Sequence, residues 1–189
     1  MKKAVFLFVA IIGAAAAFDK LYPLFTVKTD VELFRQNLIY AEMHEHRSPD
    51  YDYIIRVPSF FSAQPDPYAD AQGRLRFVYS DLWATVVLEG YAMDNQGQSM
   101  DEGADSLARA LHATHSRRGK DFVILSGPHY EGDSRVDGYS YYAKFVRNGH
   151  FWFVYTMVYP DNYKDALARL FREINEWEVW ENPRRWLKP

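Results

Sequence analysis

The stretch Phe151-Trp152-Phe153-Val154-Tyr155-Thr156-Met157-Val158-Tyr159 decides the fold of this chain. Successive side chains of a strand point to opposite faces of a sheet, so a strand with one wet face alternates apolar and polar residues. This stretch does not alternate. Both of its sides are apolar, which places it at the centre of a sheet with both faces covered. Asn148-Gly149 precedes it and is a strong short-range hairpin signal, because both residues tolerate positive φ. The partner strand is therefore Tyr139–Arg147, running antiparallel, and Pro160 ends the return strand.

Working outward, the sequence offers the covering helices. Tyr163, Ala166, Leu167, Leu170, Phe171, Ile174 and Trp177 fall in steps of three and four, which predicts an amphipathic helix over 161–177. Ser99-Met100-Asp101-Glu102 is a capping-box pattern, and Ala104, Leu107, Ala108 and Leu111 form one apolar face behind it. Acids in the first turn, Arg117 and Arg118 in the last and Gly119 just beyond predict a helix over 100–118. Thr29–Glu32 is a second capping box, and Val31, Phe34, Leu38 and Ala41 predict a helix over 30–44. Tyr53–Val57, Leu75–Tyr79, Trp83–Met93 and Phe122–Leu125 read as further strands. Ser62–Gly73 reads as a loop rich in Pro and polar residues, and Gly127–Asp133 as a Gly/Asp-rich connection. The expected fold class is α+β: a mostly antiparallel, six-stranded sheet sandwiched between helices.

Composition narrows the function. A chain of 189 residues buries a core without staples. The absence of cysteine removes disulfide frameworks, thiolate metal sites, a cysteine nucleophile and a lipid anchor on cysteine. A net charge of −3 argues against a nucleic-acid partner, since phosphate binding needs a basic surface. Met1-Lys2-Lys3 followed by the uncharged stretch Ala4–Ala17, ending in four alanines, has the layout of a secretory signal peptide. The stretch is shorter than the ~20 residues of a spanning helix, so no membrane span is expected once it is removed. The expected organisation is a signal peptide over 1–17, an N-terminal helical extension over 18–50, one α/β/α domain over 51–178 and an aromatic, basic tail over 179–189.

The order of motifs from Tyr53 to Trp177 resembles the PsbP-like fold, shared by a lumenal photosystem subunit, a Ran-binding nuclear import factor and exported bacterial proteins without assigned activity. The pieces that carry the resemblance are Ile55-Arg56-Val57-Pro58-Ser59-Phe60-Phe61, Ser99-Met100-Asp101-Glu102, Val136-Asp137-Gly138-Tyr139-Ser140-Tyr141-Tyr142 and Gly149-His150-Phe151-Trp152. Asn175-Glu176-Trp177 stands where that family's last helix commonly runs into Ser-Phe. The resemblance implies a non-enzymatic binding or assembly role and brings no catalytic residues with it.

Candidate chemistry is sparse. His112 and His115 are three apart on the expected helix, but a third zinc ligand and an HExxH spacing are missing. In the run His44-Glu45-His46, the two histidines would share a face only in a strand. Asp94, Asp101, Glu102 and Asp105 lack the spacing of an EF-hand. Glu131, Asp133 and Asp137 are the better calcium candidates, set against a plain polar turn. Ser126-Gly127-Pro128-His129 lacks the G-x-S-x-G elbow, and there is no phosphate loop or dinucleotide fingerprint. Tyr139, Tyr141, Tyr142, Tyr155 and Tyr159 lie on the hairpin strands, either as core or as an aromatic cleft. In the tail, Trp180, Arg184, Arg185 and Trp186 form either an interface or a segment folded back on the core. The binding candidates are thus Tyr142, Trp180, Arg185 and Trp186, no cofactor is expected, and the oligomeric state stays open.

These readings add up to an exported, non-catalytic binding or assembly protein of the bacterial envelope, periplasmic or extracellular, with a protein partner. A small-ligand or metal-binding carrier is the alternative, and a hydrolase with a spatially assembled site comes third. The first expectation to check is export. N-terminal sequencing of the exported protein should return a chain beginning near Phe18, and a mature chain still starting at Met1 would refute it.

Overall fold

Phe151–Pro160 forms the middle strand of a seven-stranded antiparallel sheet, with three strands on each side of it. The structure is a computed structural model and describes residues 29–64 and 73–179. In chain order the elements are α1 (Asp30–Tyr40), β1 (Met43–Arg47), β2 (Ile54–Pro58), β3 (Ser62–Ala63), β4 (Leu75–Ser80), β5 (Thr85–Asp94), α2 (Met100–Ala110), β6 (His115–Arg118), β7 (Phe122–Glu131), β8 (Ser134–Asn148), β9 (Phe151–Pro160), a 3-10 helix (Asp161–Ala166) and α3 (Ala168–Glu176). The large sheet runs β3-β4-β5-β9-β8-β7-β6, and β1 and β2 form a separate two-stranded ribbon. The expected signal peptide over 1–17 and the tail residues Trp180, Arg184, Arg185 and Trp186 lie outside the described residues.

The two apolar sides of β9 meet two different layers. Phe153, Tyr155, Met157 and Tyr159 point to one face, where Phe34 and Leu38 of α1, Ile55 and Val57 of the ribbon, and Leu167, Leu170 and Ile174 of the C-terminal helices close over them. Trp152 and Val154 point to the other face and pack under Ala104 of α2, together with Val123, Leu125, Tyr141, Ala143 and Phe145. Polar bonds secure the first layer. The buried Tyr155 hydroxyl donates to Arg56 O at 2.7 Å, and Trp177 Nε1 donates to Ile54 O at 2.6 Å. Buried Lys144 donates to Asn175 O and Trp177 O at 2.8 and 2.5 Å, where a cation suits the C-terminal end of α3. Arg169 of α3 caps the end of α1 by donating to Leu38 O, Ile39 O and Ala41 O.

Several boundaries differ from the sequence expectation, each because tertiary pairing won. The expected helix over 30–44 stops at Tyr40, and His44-Glu45-His46 lies in β1, paired with β2. Residues 30–47 are therefore part of the core layer rather than an appended helical extension. The expected helix over 100–118 stops at Ala110; His112 takes a positive φ of 49°, and residues 115–118 form the edge strand β6. Its acids and bases do pair, but from strand to helix: Arg118 of β6 meets Asp101 and Asp105 of α2. The expected helix over 161–177 begins as a 3-10 turn and becomes α-helical only from Ala168. The Gly127–Asp133 connection is mostly strand, since β7 continues to Glu131 through a register shift between Pro128 and Tyr130. The Ser62–Gly73 loop contributes the short edge strand β3. The expected strand Tyr53–Val57 (β2) leaves the large sheet to pair with β1 in the ribbon, while β3 and β6 join it, so the sheet has seven strands rather than six. The hairpin is confirmed with its turn moved by one residue: Asn148 pairs with Phe151, so the loop is Gly149-His150. Only Gly149 has a positive φ, 58°, the pattern of a II′ turn with glycine first.

The approach of α2 to the sheet depends on Gly103. A Cβ there would lie 2.7 Å from Trp152 Cζ2, and Trp152 is held in the core. Alanine in place of a mid-helix glycine ordinarily stabilises by about 0.5–1 kcal/mol. Here Gly103→Ala should instead lower stability by about 1–3 kcal/mol, because α2 must lift off an indole that cannot yield. Urea denaturation measures this, and an unchanged or raised midpoint would show that the helix is not seated on Trp152.

Candidate functional site

The two faces of the sheet are covered unequally, and that difference makes a site. α2 ends at Ala110, so on its face Trp152 and Val154 are covered while Thr156 and Val158 stay half-buried. Beyond the helix end a cleft of about 160 Å³ opens, lined by Tyr91, Leu111, His129, Tyr130, Tyr141, Thr156 and Val158 among others. Val158 sits between Val87 of β5 and Tyr141 of β8 in the sheet. The wall opposite is the chain leaving α2, where His112 stacks on Tyr130 at 4.3 Å between ring centroids.

The cleft is polar only at points. The Tyr141 hydroxyl is buried and has no hydrogen-bond partner; burial raises its pKa well above the phenol range. Thr156 Oγ1 donates to Tyr142 O at 3.4 Å. Burial pushes Tyr91 up to about 12, partly offset by the Arg74 guanidinium stacked over its ring at 4.7 Å. His129 is held below its ordinary value by burial, with Glu131 and Glu89 acting in the opposite direction.

A second feature lies at the tip between β4 and β5. Leu82 and Trp83 are 88% and 82% exposed. Their backbone is held by one carboxylate: Asp81 Oδ1 accepts from Trp83 N at 2.9 Å and Ala84 N at 2.8 Å. Asp81 Oδ2 accepts from the Tyr79 and Tyr163 hydroxyls. Burial raises the Asp81 carboxyl, but the bonds from Tyr163, Trp83, Ala84 and Tyr79 outweigh it and hold the group below the ordinary aspartate value. A carboxylate with four donors fixes this turn, so the two apolar side chains project from a rigid base.

The residues singled out in the sequence are scattered over this frame. Tyr142 lies on the face away from the cleft, where it packs on Phe171 and its hydroxyl donates to Asn175 Oδ1 at 2.7 Å. Tyr155 and Tyr159 are core residues of that same face. Of the hairpin tyrosines named from the sequence only Tyr141 lines the cleft. Glu131 ends β7 and pairs with Ser134 across a turn containing Asp133, and Asp137 lies further along β8. Among the described residues no three His, Asp or Glu side chains converge as a metal site requires. His112 and His115 do not share a helix face, since one sits in a turn and the other opens β6. His46 packs against the Phe77 ring at 4.3 Å. Asp101 and Asp105 are engaged by Arg118, and Glu102 completes the cap on Ser99.

Tyr91, Thr156 and the Leu82–Trp83 pair were not singled out in the sequence, and His129 was weighed there only as part of a nucleophile elbow that is missing. Trp83 reads there as the first residue of a strand, although Ser80-Asp81 is a turn signal between two apolar runs.

No family profile matches this chain, and no curated protein sequence matches it. Among solved structures, the solution structure of cyanobacterial PsbP (CyanoP) from Synechocystis sp. PCC 6803 is similar. It is 14% identical with a TM-score of 0.49, over 74% of this chain and 94% of that one. At this identity the similarity says nothing of what this chain binds. Among the described residues no helix is long and apolar enough to cross a membrane.

The half-buried histidines carry a pH signature. His129 and His46 are both lowered, first by burial and for His46 also by His44. A lowered folded pKa means that the unfolded chain binds the proton more readily, so stability is present above pH ~6.5 and is lost as pH falls through the folded values. Denaturant midpoints should therefore decline below pH ~6.5, before carboxylates begin to titrate. His129→Gln should flatten part of that decline; an identical slope would place the effect elsewhere.

Proposed function

We propose that this protein is an exported, non-catalytic binding protein that docks on another macromolecule of the envelope. The observation that carries the reading is the Leu82–Trp83 tip. An exposed tryptophan is costly to keep in water and is the residue type most enriched at interface anchors. The Asp81 clamp removes the backbone freedom that docking would otherwise have to freeze out. The carboxylates of Asp30 and Asp81 lie near the base of the tip, both acting on Tyr79 and Tyr163. The partner that fits is a protein with an apolar socket and a basic rim. The basic start and apolar stretch over 1–17 support export, and export places the partner in the periplasm or outside the cell.

A photo-crosslinking residue at position 82, in cells that export the full chain, tests this directly. A discrete adduct in the envelope fraction is expected, lost on Trp83→Ala and retained on Arg172→Ala, an exposed position of α3. No discrete adduct, or one indifferent to Trp83→Ala, would refute the docking role.

A further inference from the structure

The cleft beyond α2 holds a feature that docking through the tip does not use. Tyr141 is 5% exposed, lines the cleft, and its hydroxyl is buried without a partner. A buried unmade hydrogen bond costs about 1–3 kcal/mol; of the three such atoms among the described residues, Arg74 Nε, Arg147 Nε and the Tyr141 hydroxyl, only the last belongs to a residue that lines the cleft. The volume, about 160 Å³, is close to that of an apolar cavity that accepts benzene (~150 Å³). Leu111, Ala143, Phe145 and Val158 supply apolar walls, and Tyr91 and Tyr130 add aromatic ones, each ring already covered on one face, by Arg74 and by His112. Among the described residues the one lining side chain able to carry charge near neutral pH is His129, and burial favours its neutral form. An anionic guest would find no cation on the lining itself, the nearest being the Arg74 guanidinium over the Tyr91 ring at 4.7 Å.

We propose that the cleft is a binding site for an uncharged, ring-sized apolar molecule with one hydrogen-bond acceptor, which receives the Tyr141 hydroxyl proton. Tyr141 supplies orientation, and the apolar walls supply most of the affinity. The half-buried stretch of β9 at Thr156 and Val158 is the floor that the guest covers in place of a longer helix.

Amide chemical-shift titrations of the full chain with three probes test this: acetophenone (ring plus acceptor), toluene (ring alone) and benzoate (ring plus charge). Acetophenone should saturate, with shifts grouped at Tyr91, Leu111, Tyr130 and Thr156. Tyr141→Phe should weaken acetophenone about three- to tenfold, the worth of one neutral hydrogen bond. Toluene should bind both proteins equally, which also shows that the variant cleft is folded. Tyr141→Phe should melt no lower than the parent, since it removes an unsatisfied group. The proposal is overturned if no probe saturates, if the shifts fall elsewhere, if benzoate binds more tightly than acetophenone, or if Tyr141→Phe leaves acetophenone unaffected.

Discussion

Shielding both apolar faces of β9 from water is the constraint on which the rest of this structure depends. Trp152 and Val154 on one side and Phe153, Tyr155, Met157 and Tyr159 on the other are buried. Each such side chain is worth roughly 1.5–3 kcal/mol when removed from water. A strand of this kind can lie neither at a sheet edge nor on a one-sided sheet. The neighbours β5 and β8 saturate its backbone, and two separate layers saturate its side chains.

The two layers are built differently. The first is assembled from elements far apart in sequence: α1, the β1–β2 ribbon and the C-terminal helices. Polar bonds to backbone carbonyls cross-brace them, with Tyr155, Trp177, Lys144 and Arg169 each tying one element to another. The second layer is one helix of 11 residues, which spans only part of the strand beneath it. Packing on the first face therefore serves stability, while the shortfall on the second leaves an open, aromatic-walled cleft. The tip at Leu82–Trp83 lies at a third place, where a carboxylate network replaces packing as the source of rigidity.

Much of this was legible in the sequence. The apolar run over 151–159 located the central strand, because two-sided burial removes the apolar–polar alternation of a half-wet strand, and Asn148-Gly149 and Pro160 bound the run. The Ser99–Glu102 box located the start of α2 with its cap geometry, since that signal is local. Helix ends were less legible. His112 ends α2 early with a positive φ, although glycine is the residue usual at such a position, and Gly119 sits instead beside Phe122 in the turn before β7. The polar run His44-Glu45-His46 became a strand because Ile54–Pro58 offered a ladder for it. The cleft left no linear trace: Tyr91, His129, Tyr141 and Thr156 come from four different strands.

By itself, then, the sequence determined the fold class, the central strand, its hairpin partner and the presence of helices to cover it, because these follow from local periodicity and turn chemistry. Only the tertiary structure decided how far each helix reaches, which of two faces is sealed, and which tyrosine is left with an unanswered hydroxyl. Those outcomes depend on registers between strands distant in the chain and on the single approach of Gly103 to Trp152, and no spacing within one segment encodes them.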